Sequence, residues 1–348
     1  MTLPRLSVLD QSVGRAGRPH QESIQATVDL AVHCEALGYH RFWVSEHHNL
    51  PSVVGSAPEV LMAAIAARTR RIRIGSAGVM LPHYAAYKVA EQFRVLDALA
   101  PGRIDLGVGR APGGDMRTAR LLNPAGGSAD DFPQQVLELH AWVTGEPMPP
   151  GHPGQGVAAF PQGTTTPDLW MLGSSAYGAQ LAAHFGLPYA FAWFITDGAG
   201  AQEALDLYRR NFRPGVIDAP QAAVCVWALA ADTEEEAWFQ FRSRERARVD
   251  RLSGRFGPLQ PPDQARRPWS DAETAEAGRI AKNAFVGTGA QVKDKLAALA
   301  ESLQVQELAV ITWTWDPAAQ RRSCELLAQA FGLEGASADT PAVAEVAA

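Results

Sequence analysis

Glu46, His47 and His48 are the residues best placed to do chemistry, because they follow a short stretch with strand propensity, 42–45. In α/β proteins with parallel strands, ligands and reactive groups gather at the carboxyl ends of the strands. Alternate residues of an extended chain face the same way, so we expect Glu46 and His48 to share one side and His47 to face the other. An imidazole there can donate or accept a proton near neutral pH. The sequence alone supports a purely structural hydrogen-bonding role for both histidines equally well.

Adjacent histidines fit a metal site poorly. A strand that binds metal usually presents two histidines one residue apart on a single side. We therefore expect no metal, and a metal-dependent hydrolase is the weakest of the alternatives.

Three residues indicate a phosphate site. Arg110 follows a predicted strand near residue 103, and Ser174 and Ser175 precede a predicted helix. A guanidinium matches phosphate bidentately, and the start of a helix offers free amides to an anion. A serine before a helix is also an ordinary N-cap, and it is the combination with Arg110 that favours phosphate. The glycine-rich stretch 106–114 is a weak nucleotide fingerprint, because Pro112 occupies the place of its third glycine.

Ser76, Ala77 and Gly78 are consecutive small residues in a predicted buried strand. Such a surface exposes backbone against which a flat ligand can lie, although the strand could merely tolerate a close neighbour. Trp193, at the end of a strand predicted over 189–194, could wall a planar ring. A buried tryptophan is more often an ordinary core residue.

The elements that must position these residues alternate regularly between strand and helix patterns. The predicted strands begin near residues 6, 41, 72, 103, 169, 189, 222 and 308. This order predicts a (β/α)8 barrel, the TIM barrel, as a single domain over residues 1–333, with an open doubly wound sheet as the alternative. Insertions are expected at about 146–167, as a long loop, and at about 250–282, as a lid or binding loop. Residues 334–348 are expected to form a disordered C-terminal tail.

Composition limits the classes of partner. A formal net charge of −6 without basic runs argues against nucleic acid and against an acidic membrane surface. The chain shows neither a signal peptide nor an apolar run long enough to span a bilayer, so we expect a cytoplasmic protein. Its three cysteines are expected to be small core residues.

Four motifs together resemble the bacterial luciferase-like flavin-dependent monooxygenases. They are Phe42-Trp43-Val44-Ser45-Glu46-His47-His48, the segment 75–82, Gly107-Val108-Gly109-Arg110, and Gly173-Ser174-Ser175-Ala176 with Gly186-Leu187-Pro188. They occur in the family's order and spacing, and the likeness extends over about residues 6–333.

The resemblance implies a barrel that binds FMN, reduced by a separate flavin reductase, and that uses O2 to oxygenate a small organic substrate. His47 matches the family's catalytic histidine, and Glu46 is expected to contact the cofactor. Ala77 and Gly78 match a non-prolyl cis peptide beneath the flavin ring. The phosphate contacts match Arg110, Ser174 and Ser175 with the amide of Gly178, and Trp193 matches a tryptophan beside the ring.

Two departures leave the substrate open. Gly109 stands where relatives can carry a cysteine, and residues 250–282 show no usable likeness, so light emission is not implied. We expect an apolar substrate pocket beneath residues 250–282 and a homodimer built on the helices that begin near Pro58 and Ala85. The alternatives are hydride transfer with the deazaflavin F420 and a non-catalytic flavin-binding protein.

Overall fold

The computed structural model describes residues 3–111, 113–124 and 129–335. Its strands are β1 (Arg5–Asp10), β2 (Arg41–Val44), β3 (Arg73–Ser76), β4 (Val79–Met80), β5 (Ile104–Gly109), β6 (Asp168–Gly173), β7 (Tyr189–Ala192), β8 (Ala222–Ala231), β9 (Phe285–Thr288) and β10 (Glu307–Ile311).

The strands close into a parallel barrel. The order is β1-β2-β3-β5-β6-β7-β8-β10, and β10 pairs with both β8 and β1, which completes the ring. β4 continues the pairing of β3 along β5, and β9 adds to the upper half of β8. The predicted (β/α)8 barrel is therefore confirmed, and the open sheet is wrong.

Helices connect the strands. They are α1 (His20–Ala36), α2 (Pro58–Arg68), α3 (Ala86–Leu99), α4 (Met116–Leu122), α5 (Phe132–Thr144), α6 (Ala176–Phe185), α7 (Trp193–Thr196), α8 (Ala201–Asn211), α9 (Glu234–Leu252), α10 (Asp271–Lys282), α11 (Gly289–Leu303) and α12 (Pro317–Phe331). Within the described ranges, none of these helices has the length and apolar character that crossing a bilayer requires.

The structure corrects three local predictions. Strand β7 ends at Ala192, so Trp193 begins α7 instead of ending a strand. Residues 250–282 are not one loop, because α9 extends to Leu252 and α10 occupies the last part of the segment. A capping box explains α10, since Ser270 accepts from the Glu273 amide and the Glu273 side chain accepts from the Ser270 amide. Strand β9 was not predicted. Of the expected C-terminal tail, residues 336–348 lie outside the part of the chain that the structure describes.

The base of the barrel is closed by buried charges. Arg41, at the start of β2, lies 2.9 Å from the Asp105 carboxylate and 2.8 Å from that of Glu307. All three residues lie at the amino ends of their strands and are almost completely buried. Above them the interior is filled by large apolar side chains, among them Trp43 and Trp170, which pack edge to face at 5.2 Å. The opposite, carboxyl ends of the strands remain available for a site.

Candidate functional site

A cavity of about 870 Å³ opens at the carboxyl ends of the strands. It brings together residues that lie far apart in the chain. Of the predicted site residues, those that line it are His47, Ala77, Gly78, Arg110, Ser174, Ser175 and Gly178.

His47 faces the cavity from the end of β2. Its backbone amide donates to the Gly55 carbonyl at 2.9 Å, and its Nδ1 lies 3.1 Å from the Ser45 hydroxyl. Nε2 has no hydrogen-bond partner among the described residues. Burial, reinforced by the positive charge of Arg251, lowers the pKa of His47 to about 4. The ring is therefore neutral at physiological pH, with one nitrogen held by the protein and the other available to a ligand.

Glu46 lies behind His47 and does not line the cavity. Its carboxylate accepts from the Tyr84 hydroxyl at 2.7 Å and from the Met80 amide at 3.0 Å, and it lies 2.7 Å from Nε2 of His48. The prediction that Glu46 and His48 share one side is confirmed. Glu46 is not among the cavity-lining residues, so its visible role is to hold β4, and hence the chain after Gly78, in place.

A surface made of backbone forms one wall of the cavity. The peptide bond between Ala77 and Gly78 is cis, as the resemblance implies. A Cβ atom at Gly78 would lie 2.7 Å from the Gly107 carbonyl oxygen, and one at Gly107 would lie 2.1 Å from the Ser76 carbonyl oxygen. Contacts this short exclude any side chain, so the two strands approach through bare backbone.

The start of α6 forms a second part of the wall. Ser175 occupies the N-cap position but makes no side-chain capping bond, so the first amides of the helix are not satisfied by their own cap. Ser174 and Arg110 line the cavity beside it, and the Arg110 guanidinium lies 4.1 Å from the ring centroid of Tyr177. A helix start, two hydroxyls and a guanidinium form a donor set suited to a phosphate group.

Trp193 does not line the cavity. Its ring packs edge to face against Phe285 with centroids 6.5 Å apart, and the next residue, Phe194, lines the cavity instead. The difference follows from the earlier end of β7, because the turn into α7 redirects both side chains.

A group of arginines that was not predicted also faces this cavity. Arg244, Arg248 and Arg251 of α9, with Arg279 of α10, line the same cavity. The first three are spaced i, i+4 and i+7, which places them on one helical face, and that spacing was the available signal. The cavity is lined by apolar side chains, including Leu252 and Phe256, as expected beneath residues 250–282, but these arginines add positive charge that was not predicted.

Asp197 neutralises part of this charge. Its Oδ2 accepts from Arg248 and from Arg279, each at 3.0 Å. Asp197 follows α7, and the two arginines lie on α9 and α10. These ion pairs therefore connect α9 and α10 to the barrel.

The chain is a (β/α)8-barrel protein whose candidate site, with His47, Gly78 and the start of α6, lies at the carboxyl ends of the strands. The sequence model of the luciferase-like monooxygenase family matches residues 5–307. The chain belongs to that family.

Relatives agree with this assignment over nearly their whole length. The uncharacterized Bacillus subtilis protein YwcH is 46% identical over 336 residues, covering 94% of this chain and 98% of that protein. The N-acetyl-S-alkylcysteine monooxygenase of the same organism is 37% identical over 330 residues, covering 94% and 98%. The solved structure of apo-MsnO8 superposes with a TM-score of 0.86 at 34% identity, covering 96% of this chain and 99% of that one.

Proposed function

We propose that the protein is a two-component monooxygenase that receives reduced FMN from a separate flavin reductase and uses O2 to oxygenate a small organic substrate. The observation that carries this proposal is the composition of one cavity. A donor set for phosphate, a side-chain-free wall and a neutral histidine line it together. The 37% identical relative named as a monooxygenase supports the same class of reaction.

The residues present fit FMN. Arg110, Ser174, Ser175 and the first amides of α6, including that of Gly178, would bind its phosphate through charge-assisted hydrogen bonds. The backbone around Ala77 and Gly78 would support the flat ring system. Bound reduced flavin supplies the electrons that activate O2, and the protein supplies position and environment.

His47 would donate or accept a proton during the reaction. Its neutral ring can donate from one nitrogen and accept at the other, and the contact with Ser45 fixes the ring orientation. Nε2 has no partner among the described residues, so it is the atom free to hold a proton beside a bound reactant.

Apolar side chains would keep water away from the reacting atoms. Phe194 and Trp313, both half-buried, line the cavity. Excluding water prevents hydrolysis of reactive species and strengthens each electrostatic contact inside.

The cofactor is tested by titrating the purified protein with FMN and with the deazaflavin F420. We expect FMN to bind with one site per chain, and Arg110→Ala to weaken it about tenfold or more, as expected for the loss of a charged phosphate contact. Arg120→Ala, which removes a cation from α4 outside the cavity, should leave FMN binding unchanged. Tighter binding of F420 than of FMN would instead favour hydride transfer.

The reaction is tested by supplying reduced FMN from an unrelated reductase and following ¹⁸O incorporation from ¹⁸O₂ into candidate substrates. We expect one labelled oxygen atom in the product and a loss of coupled turnover in His47→Ala. FMN binding without incorporation for any member of a broad substrate panel would favour a non-catalytic flavin-binding protein.

The proposal includes a homodimer built on α2 and α3. Gln92 of α3 donates to Glu59 of α2 at 3.3 Å, so the helices lie side by side. Val60 near the start of α2 is 63% exposed, and Val95 and Leu99 near the end of α3 are 47% and 60% exposed, so both helices offer apolar side chains that a second copy could cover. Sedimentation should give a dimer for the wild type and a monomer for a Val60→Glu, Leu99→Glu variant. A monomeric wild type would contradict the dimer.

A further inference from the structure

Arg244 is a buried cation without an anionic partner. The residue is only 6% exposed, and it makes no hydrogen bond or ion pair within the described residues. Its guanidinium lies 4.0 Å from the ring centroid of Trp227 and 6.0 Å from that of Phe241. Burying a charge without an anion is costly, and the contacts with the two aromatic rings offset only part of that cost, so an incoming anion would be stabilised here.

The surrounding charges do not satisfy it. Asp197 acts on Arg244 electrostatically, but its carboxylate hydrogen bonds go to Arg248 and Arg279. Arg251, two turns further along α9, also lines the cavity but is exposed to solvent. Among the described residues of this side of the cavity, Arg244 is therefore the buried guanidinium that an incoming anion would meet.

This region is separate from the predicted phosphate site. Arg110 and Ser175 follow the adjacent strands β5 and β6, whereas Arg244 lies against Trp227 of β8, two strands further around the barrel. FMN has one phosphate, which the β5–β6 side would hold. Arg244 is then left for another molecule in the same cavity.

We propose that the organic substrate carries a carboxylate or similar oxyanion, which Arg244 binds. This inference rests on the proposed monooxygenase function. Trp227, Trp313, Ile311 and Phe256, which line the same cavity, would enclose the rest of the molecule. The substrate class is therefore a small monoanion with an apolar body, oriented by its charged end.

The test measures binding of octanoate, octane-1-sulfonate and the neutral octanamide by calorimetry, without flavin. The wild type should bind both anions about tenfold or more tightly than the amide, as one charged hydrogen-bonded contact provides. Arg244→Met should remove this preference, and Arg244→Lys should retain part of it. Arg242→Met is the matched control, because it removes the same charge from α9 outside the cavity.

Two further measurements exclude other roles for Arg244. Thermal unfolding of Arg244→Met should occur at the same or a higher temperature than that of the wild type, because an unpaired buried charge disappears while the stem is kept. A lower melting temperature with unchanged anion binding would make Arg244 a structural residue and overturn the proposal. So would equal binding of octanoate and octanamide, or no binding of either anion, in the wild type.

FMN titration separates this proposal from the function on which it rests. Arg244→Met should bind FMN like the wild type, while Arg110→Ala should not. If Arg244→Met loses FMN and Arg110→Ala keeps it, Arg244 holds the flavin phosphate and the substrate proposal is overturned. If the wild type binds octanoate through Arg244 but does not bind FMN, the anion site stands and the flavin function fails.

Discussion

The hydroxyl of Ser76 bridges to the backbone of Gly107, donating to its carbonyl oxygen at 2.9 Å and accepting from its amide at 3.0 Å. Ser76 ends β3 and Gly107 lies within β5, so one buried side chain fixes the spacing of two strands. The bare wall at Ala77 and Gly78 continues directly from Ser76. The position of the proposed flavin surface therefore depends on this hydroxyl.

Ser76→Ala should destabilise the fold and weaken FMN binding. The substitution leaves buried polar groups of Gly107 without a partner, which costs about 1–3 kcal/mol. Urea unfolding measures the loss of stability. Ser302→Ala is the control, because Ser302 is an exposed residue of α11 whose replacement should change stability by less than about 0.5 kcal/mol. Equal losses in the two variants would contradict the bridging role.

The pKa of His47 should be visible in solution. NMR titration of its ring protons should give a midpoint near pH 4, because burial and Arg251 lower its pKa to about 4. A midpoint at the ordinary value of about 6.5 would show that the ring is solvated.

The same shift predicts how stability depends on pH. Between pH 4 and the unfolded value of about 6.5 the unfolded state binds more protons at this site, so its contribution to stability rises with pH and is complete above 6.5. Relative to His47→Gln, the wild type should lose melting temperature as the pH falls from 6.5 to 4. A constant difference across that window would contradict the shift.

Arg41 should be indispensable to the barrel base. Replacing it by Met leaves the buried carboxylates of Asp105 and Glu307 short of a partner, and breaking such a pair costs about 3–5 kcal/mol. Arg68→Met, which breaks the exposed ion pair with Asp29, should cost less than about 1 kcal/mol. Denaturant unfolding of both variants measures the contrast, and similar losses would show that burial does not matter here.

Asp197→Asn should weaken the attachment of α10 to the barrel without unfolding the barrel. The amide keeps the shape of the carboxylate but weakens its bonds to Arg248 and Arg279. Hydrogen exchange in α10 should accelerate about tenfold, while exchange in β1 and β10 stays unchanged. Asp206→Asn, at a surface ion pair with Arg209, serves as the control and should leave α10 unaffected.

The barrel could be predicted from the sequence because each strand–helix unit carries its own periodic pattern. The residues at strand ends, such as His47 and Arg110, followed from that order, since parallel strands deliver their carboxyl ends to one mouth. The cis geometry before Gly78 came from family resemblance and not from any physical pattern in the residues.

Other features depend on tertiary contacts that the sequence does not display. Trp193 lies outside the cavity because β7 ends at Ala192, one residue before it, and this end point depends on the packing of α7. Helix α10 had a readable signal, since Ser270 and Glu273 form a capping box. Arg244 lies in a helix, α9, that is rich in both acidic and basic residues. The spacing shows that it shares a helical face with Arg248 and Arg251, but the sequence does not show how deeply that face is buried.

We propose that Arg110 and the start of α6 bind the phosphate of FMN while its ring system lies over the Ala77–Gly78 peptide. The most direct measurement is the electron density of crystals of this protein soaked with FMN. We expect the phosphate within hydrogen-bonding distance of Arg110 and Ser175, with the ring system over the Ala77–Gly78 peptide. A phosphate bound at Arg244, or a ring system outside the cavity, would contradict it.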